Sequence, residues 1–204
     1  MTIEEAYLRF TNLVNRNATN NNISVDSGRF VLLFNDITNR YVEWLLNKRN
    51  EDQIRYVSPL LVLDKPLTSS NKTERFSEYN LPENYFDLAN LSVAATKDSC
   101  KDQTLYTHEV KVEDIEELYQ DPFNEPSFEY RETFYTTNSK KVAVYKKGFD
   151  ITKANLSYYR YPKQVDIAGY IKVNGQESSN IDPELDDKVT NRVLIMMSKE
   201  FFAI

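Results

Sequence analysis

One histidine, His108, and one cysteine, Cys100, stand in this sequence, so any Ser-His-Asp or Cys-His site has to be built on them. His108 falls among tyrosine and valine on the apolar face of a predicted strand, where a satisfied buried histidine is the commoner state. Cys100 lies in a polar stretch with no activating motif beside it. The pair cannot supply the four nitrogen and sulfur ligands of a usual zinc site, and no calcium loop of alternating acids around a glycine is present. Two patterns keep chemical content. Glu109-Val110-Lys111, with Asp98 and Asp102 upstream, matches the E-x-K arrangement in which acids hold magnesium and a lysine orients water for nucleic-acid hydrolysis. The simpler reading is a solvent-facing i, i+2 pair, because "KDSCKDQ" reads as a loop and not as a strand carrying the upstream acid. The second pattern is "SYYRYPKQVDI", where Tyr158, Tyr159 and Arg160 interleave rings and charge as a stacking platform for single-stranded nucleic acid would. The same run fits a strand with Leu156, Tyr158 and Arg160 on one face and Ser157, Tyr159 and Tyr161 on the other, stopped or held at a sheet edge by Pro162. Arg160 and Lys163 are its only cations, too few to neutralise a phosphate backbone, so the strand reading is preferred.

The bulk properties narrow the classes further. The 204 residues suit one generous domain, large enough to fold on its own apolar core. A net charge of −6 argues against wrapping DNA over the whole surface. A lone cysteine suggests a reducing compartment or indifference to redox, and "MTIEEAYLRF" lacks the apolar core of a secretion signal. The longest apolar runs, "VLLF" and "LLVL", fall far short of the ~20 residues that span a bilayer. The four glycines are scattered, so a phosphate-cradling loop is not expected.

These residues must be positioned by a recognisable series of elements. Thr2 and Glu5 form a capping box, and Ile3, Tyr7, Phe10 and Val14 recur at helical spacing, predicting a helix over about 3–15. Asp26 or Ser27 starts a long helix running to about Arg49, with Phe30, Leu33, Phe34, Ile37, Tyr41, Trp44 and Leu45 on its face and Val31, Leu32, Val42 and Leu46 widening it. "EDQIRYVSPLLVL" is a short helix or turn and "DKPLTSSNKTERF" a loop. "LPENYFDLANLSVAAT" reads as a turn and short helix with Tyr85, Leu88, Ala89 and Ser92 on its face. From Gln103 the period becomes two, placing Tyr106, His108, Val110 and Val112 on the buried side of a strand. "VEDIEELYQD" is a short helix ended by Pro122 and Pro126. "YRETFYTT", "KVAVYKKG" and "NLSYYRYP" are strands. Asp182 caps and Pro183 opens a last helix over about 183–202, striped by Leu185, Val189, Val193 and Met196. The expected fold is α+β: two N-terminal helices and the C-terminal helix in a bundle, with an inserted antiparallel β region. Within a single domain over 1–204, the expected parts are N-terminal helices (1–66), a mixed insert (80–170) and a C-terminal helix (182–204).

The segments "LPENYFDLANLSVAA", "EVKVEDIEELYQDPFNEPS", "ITKANLSYYRYPKQVDI" and "IDPELDDKVTNRVLIMMSKEF" follow one another in an order that resembles virion structural proteins of tailed bacteriophages, in particular the neck ring or adaptor proteins of the crAss-like group. The resemblance covers about residues 80–200. Its most specific pieces are Asp121-Pro122-Phe123 with Pro126, and Tyr161-Pro162-Lys163 ahead of an acid-started final helix. It implies a non-enzymatic head-to-tail connector component without cofactor, catalytic residue or metal. Such a protein forms a ring of about twelve copies, touches the portal and other neck or tail proteins, and lets DNA pass through its lumen without specific binding. It would be made in the host cytoplasm and end in the virion, with no membrane partner. Interface residues expected on this basis are Trp44, Phe123, Tyr159, Tyr161, Phe201, Phe202 and Ile204. The apolar terminus "KEFFAI" either tucks into its own bundle or docks on a neighbour.

Overall fold

A computed structural model describes residues 1–17, 23–48, 51–98, 100–172 and 175–201. The fold is α+β, and the chain divides into two compact units, one formed by Met1–Leu60 with Tyr161–Ile204 and the other by Leu61–Arg160.

The first unit is a bundle of α1 (Ile3–Asn17), α2 (Ser27–Lys48) and α5 (Asp187–Phe201), with α1 and α2 both packed on α5; α3 (Glu51–Ile54) and a 3-10 turn over Arg55–Leu60 follow α2. Helix α1 buries Ile3, Ala6, Phe10 and Val14, an i, i+3, i+7, i+11 stripe. Only half of its capping box forms. The Glu5 N–H donates to Thr2 Oγ1 at 3.2 Å, while the Glu5 carboxylate pairs instead with Arg9, one turn on, at 2.7 Å. Asp26 caps α2 by accepting from the Arg29 N–H at 2.8 Å. Along α2 the buried side chains include Phe30, Phe34, Ile37, Val42, Leu45 and Leu46. Leu32, expected to widen that face, is exposed.

The last helix corrects the expected start by four residues. It begins at Asp187, and Asp186 serves its first turn, accepting from the Lys188 N–H at 2.9 Å. Asp182 is employed elsewhere: its Oδ1 accepts from the N–H of Ile3 at 2.8 Å, capping α1 from across the sequence. The stripe ends on Met197, which is buried, while Met196 is half-buried.

Between the return at Tyr161 and α5, a loop is pinned by side chains. Asn35 of α2 imitates a strand, donating from Nδ2 to the Val165 carbonyl (3.1 Å) and accepting the Val165 N–H on Oδ1 (2.8 Å). Asp166, 3% exposed, accepts on Oδ1 from Tyr170 Oη (2.8 Å) and the Ile167 N–H (3.0 Å). Its Oδ2 accepts from the Ser179 N–H (3.1 Å) and Lys172 Nζ (2.7 Å). One hydroxyl in this unit lacks such provision. Thr38 Oγ1 is buried in α2 with no hydrogen-bond partner among the described residues. Thr38→Val, which exchanges that hydroxyl for a methyl of similar size, is expected to raise stability by about 1 kcal/mol. A urea midpoint that stays put or falls would contradict this.

The second unit is a single eight-stranded sheet: β1 (Leu61–Pro66), β2 (Ser69–Lys72), β3 (Phe76–Asn80), β4 (Tyr85–Lys97), β5 (Cys100–Glu109), β6 (Glu132–Thr137), β7 (Lys141–Tyr145) and β8 (Asp150–Arg160), in the order β1-β8-β4-β5-β6-β7-β3-β2. All pairs are antiparallel except β5 with β6, which are parallel and are linked through a 3-10 turn (Val112–Asp114) and α4 (Ile115–Gln120). The sheet curls on itself through two corners. Strand β5 pairs with β4 through Cys100–Leu105 and with β6 through Tyr106–Glu109. At the other corner only Leu67 and Thr68 separate the outermost strands, the Leu67 N–H donating to Ala154 of β8 (2.8 Å) and the Thr68 carbonyl accepting from Asn80 of β3 (3.3 Å). Strands that switch sheets in this way enclose one core. Tyr79 of β3, Val93 of β4, Leu105 of β5, Val144 of β7 and Leu156 of β8 accordingly share a single buried cluster.

Three strand-level expectations change. Residues 85–96 are not a helix but most of β4. Its pairing with β8 slips between Tyr85 and Asp87 and again between Leu88 and Asn90. Each slip breaks the period-two alternation, so Tyr85, Leu88 and Leu91 reach one core at a spacing that imitates a helix. The supposed loop "DKPLTSSNKTERF" supplies the end of β1, all of β2 and the first residue of β3. On β5 the face is the opposite one: Leu105 is buried, whereas Tyr106 and His108 are exposed. A strand offers only two faces, and Leu105 sets the choice.

Candidate interface surfaces

The chemistry-bearing residues do not converge. Asp98, between β4 and β5, and Asp102, near the start of β5, take left-handed backbone angles (φ 51° and 36°), a conformation aspartate tolerates, so local backbone geometry accounts for them. Asp102 Oδ1 accepts from the Thr152 hydroxyl at 3.0 Å. Glu109 lies at the other end of β5, about 20 Å away at 3.3 Å per residue. It accepts there from the Thr137 hydroxyl. Magnesium ligands sit about 2 Å from the ion, so Asp102 and Glu109 cannot share one. Among the described residues no group of three His, Cys, Asp or Glu side chains is placed to hold a metal. His108 rests against the Phe134 ring, with centroids 6.1 Å apart, and Cys100 is an exposed free thiol.

The tyrosine-rich run is a central strand and not an edge: β8 lies between β1 and β4. Tyr158 is 1% exposed, its hydroxyl donates to Asn84 Oδ1 at 2.9 Å, and its ring tilts on Tyr85. A ring this deep presents no face to a base. Tyr159 is half-buried and Tyr161 exposed.

Phe201 turns inward, meeting Phe10 edge-on at 5.7 Å with the Arg29 guanidinium 4.7 Å above its ring. Phe202 and Ile204 lie outside the described residues. Trp44, Phe123 and Tyr161 are the expected contacts among the described residues that present rings to solvent, with Phe123 in one unit of the chain and Trp44 and Tyr161 in the other. Phe123, 91% exposed, stands on the turn after α4, where Asp121 holds the backbone by accepting from the Phe123 N–H (3.0 Å) and Asn124 Nδ2 (2.5 Å). These two bonds hold the Asp121 carboxyl below the usual carboxylate range. Trp44, 40% exposed, stacks on Tyr41 at 5.7 Å with Lys48 over its ring, in an open groove between α2 and α5 of about 510 Å³ lined also by Arg40, Arg192, Ile195 and Met196. Sequence reasoning found the tryptophan but missed the other wall. The spacing of Lys188, Arg192, Ile195 and Lys199, which puts three cations and an isoleucine on one side of the last helix, is the signal that marks it.

No protein-family model matches this chain, and no curated protein matches it either. Among the described residues no helix is long and apolar enough to cross a membrane.

Proposed function

We propose that this chain is a structural component of a tailed-phage virion, acting as a ring in the head-to-tail connector between portal and tail. The reading rests on the order of its segments, and the architecture supports it. The first and last parts of the chain pack as one helical bundle, and residues 61–160 form their own β unit between them, the layout that the resemblance implies. Its activity is shape, self-association and docking: copies, about twelve in the connector family, associate with one another and with portal and tail proteins. The excess of acids suits a lumen that repels phosphate and lets DNA slide. No catalysis and no cofactor is assigned.

Electron microscopy and native mass measurement of the purified chain, alone and with portal and tail proteins, are expected to reveal rings. A strict monomer that also ignores those partners would remove the reading. Magnesium-dependent DNA cleavage lost in Glu109→Ala would replace it with the nuclease alternative.

A further inference from the structure

Two surfaces on this molecule carry side chains of opposite charge around apolar groups. One side of α5 is grooved and carries Lys188, Arg192 and Lys199. The α2–α5 groove presents Trp44, Ile195 and Met196 between Arg40 and Arg192, and among the described residues its lining contains no acid. The adjoining α1–α5 groove is lined by Leu13, Leu194 and Ile195 with Arg16 and with Arg9, which is paired to Glu5. Arg40 is already paired with Asp36 and Glu200, whereas among the described residues Arg192 meets the Tyr41 hydroxyl at 3.3 Å and no acid, and Lys188 and Lys199 lie on the same side of the helix. The segment from Glu109 to Glu132 is the reverse, with nine acids against two bases in a chain of net charge −6. Some of those acids are matched locally, Glu116 by Arg75, Glu125 by Lys147 and Glu129 by Lys97. Glu113, Asp114 and Glu117 remain exposed on the turn and helix that lead to Phe123. Phe123 itself is 91% exposed.

We infer that Phe123 of one copy inserts into the Trp44–Ile195–Met196 groove of the next, with Glu113, Asp114 and Glu117 facing Arg192, Lys188 and Lys199. An aromatic anchor in an apolar slot, ringed by opposite charges, is the usual composition of an interface hot spot. The knob and the groove are different surfaces, so the contact is heterologous: each copy offers one of each, and repetition closes into a ring or extends as a filament. This deepens the connector reading and rests on it only for the biological setting.

The test uses the full-length chain. Sedimentation at low salt is expected to show concentration-dependent assembly that weakens as salt rises, since exposed charges are screened within about 8 Å at physiological ionic strength. Phe123→Ser, at a position making no core contact, is expected to raise the assembly midpoint at least tenfold, and Trp44→Ala with Ile195→Asp to do the same. Mixed in equal amounts, the knobless and grooveless chains are expected to stop at a dimer, because one intact knob meets one intact groove and nothing remains to propagate. Circular dichroism of each variant confirms folding. Undiminished assembly of Phe123→Ser, a mixture that builds larger species or none, or a wild-type chain that stays monomeric overturns the contact. Those outcomes leave the connector reading to be judged separately by co-sedimentation with portal and tail proteins.

Discussion

Phe30→Ala is expected to cost the helical unit about 3–5 kcal/mol, the range for truncating a fully buried aromatic ring. Phe30 has no accessible surface and stands among three other rings: Tyr7 at 5.2 Å edge-on, Phe10 at 5.5 Å and Phe34 at 5.7 Å. Alanine therefore loses both the transfer energy of a phenyl group and the aromatic contacts, and leaves a void that α1 and α2 cannot close without breaking their own stripes. Domains are stable by only about 5–15 kcal/mol, so a loss of this size removes much of the margin. Leu32→Ala on the same helix is the control: Leu32 is exposed, and its truncation is expected to stay within about 0.5 kcal/mol. Urea unfolding followed by helical circular dichroism measures both, and a Phe30→Ala shift below about 1 kcal/mol would contradict the packing.

Asp166→Asn is expected to destabilise the same unit by about 2–4 kcal/mol and to flatten its acid limb. Four donors converge on the carboxylate, and an amide turns one of its two oxygens into a fifth donor facing them. Burial by itself would raise the Asp166 pKa, but Lys172, the Ser179 N–H, Tyr170 and the Ile167 N–H together outweigh it and hold the pKa at about 2. A carboxyl whose pKa is depressed by folding stabilises the native state above its unfolded pKa, near 3.9, and loses that contribution as pH falls toward 2. Wild-type stability should thus drop between about pH 4 and pH 2 by more than that of the asparagine variant, and the two curves should converge at the acid end. Parallel curves would mean that Asp166 is not the group that titrates. Tyr170, pushed up to about 12 by burial and by the neighbouring Asp166, sets the opposite limit: its contribution is intact below pH 10 and is lost as pH rises toward 12.

Apolar spacing within the chain was enough to locate α1 and α2, because Ile3, Phe10 and Val14 or Phe30, Phe34 and Ile37 encode a buried stripe whatever they pack against. Cap chemistry was less reliable. Asp182 has the composition of a helix start, yet it caps α1, a partner 179 residues away that no local pattern names. The same limit governs the sheet. The slips that disguise β4 as a helix arise from its register with β8, and the burial of Leu105 in place of His108 follows from which side of β5 the curled sheet closes over. Of the interface surfaces, Trp44 was legible as part of the apolar face of α2 and Phe123 as part of the Asp121-Pro122-Phe123 motif, whereas the groove needed Arg192, Ile195 and Met196 from a helix nearly 150 residues further on. Periodicity reports which side of an element avoids water. Register, capping between distant segments and the walls of a groove depend on pairs of residues whose proximity exists only once the chain has folded.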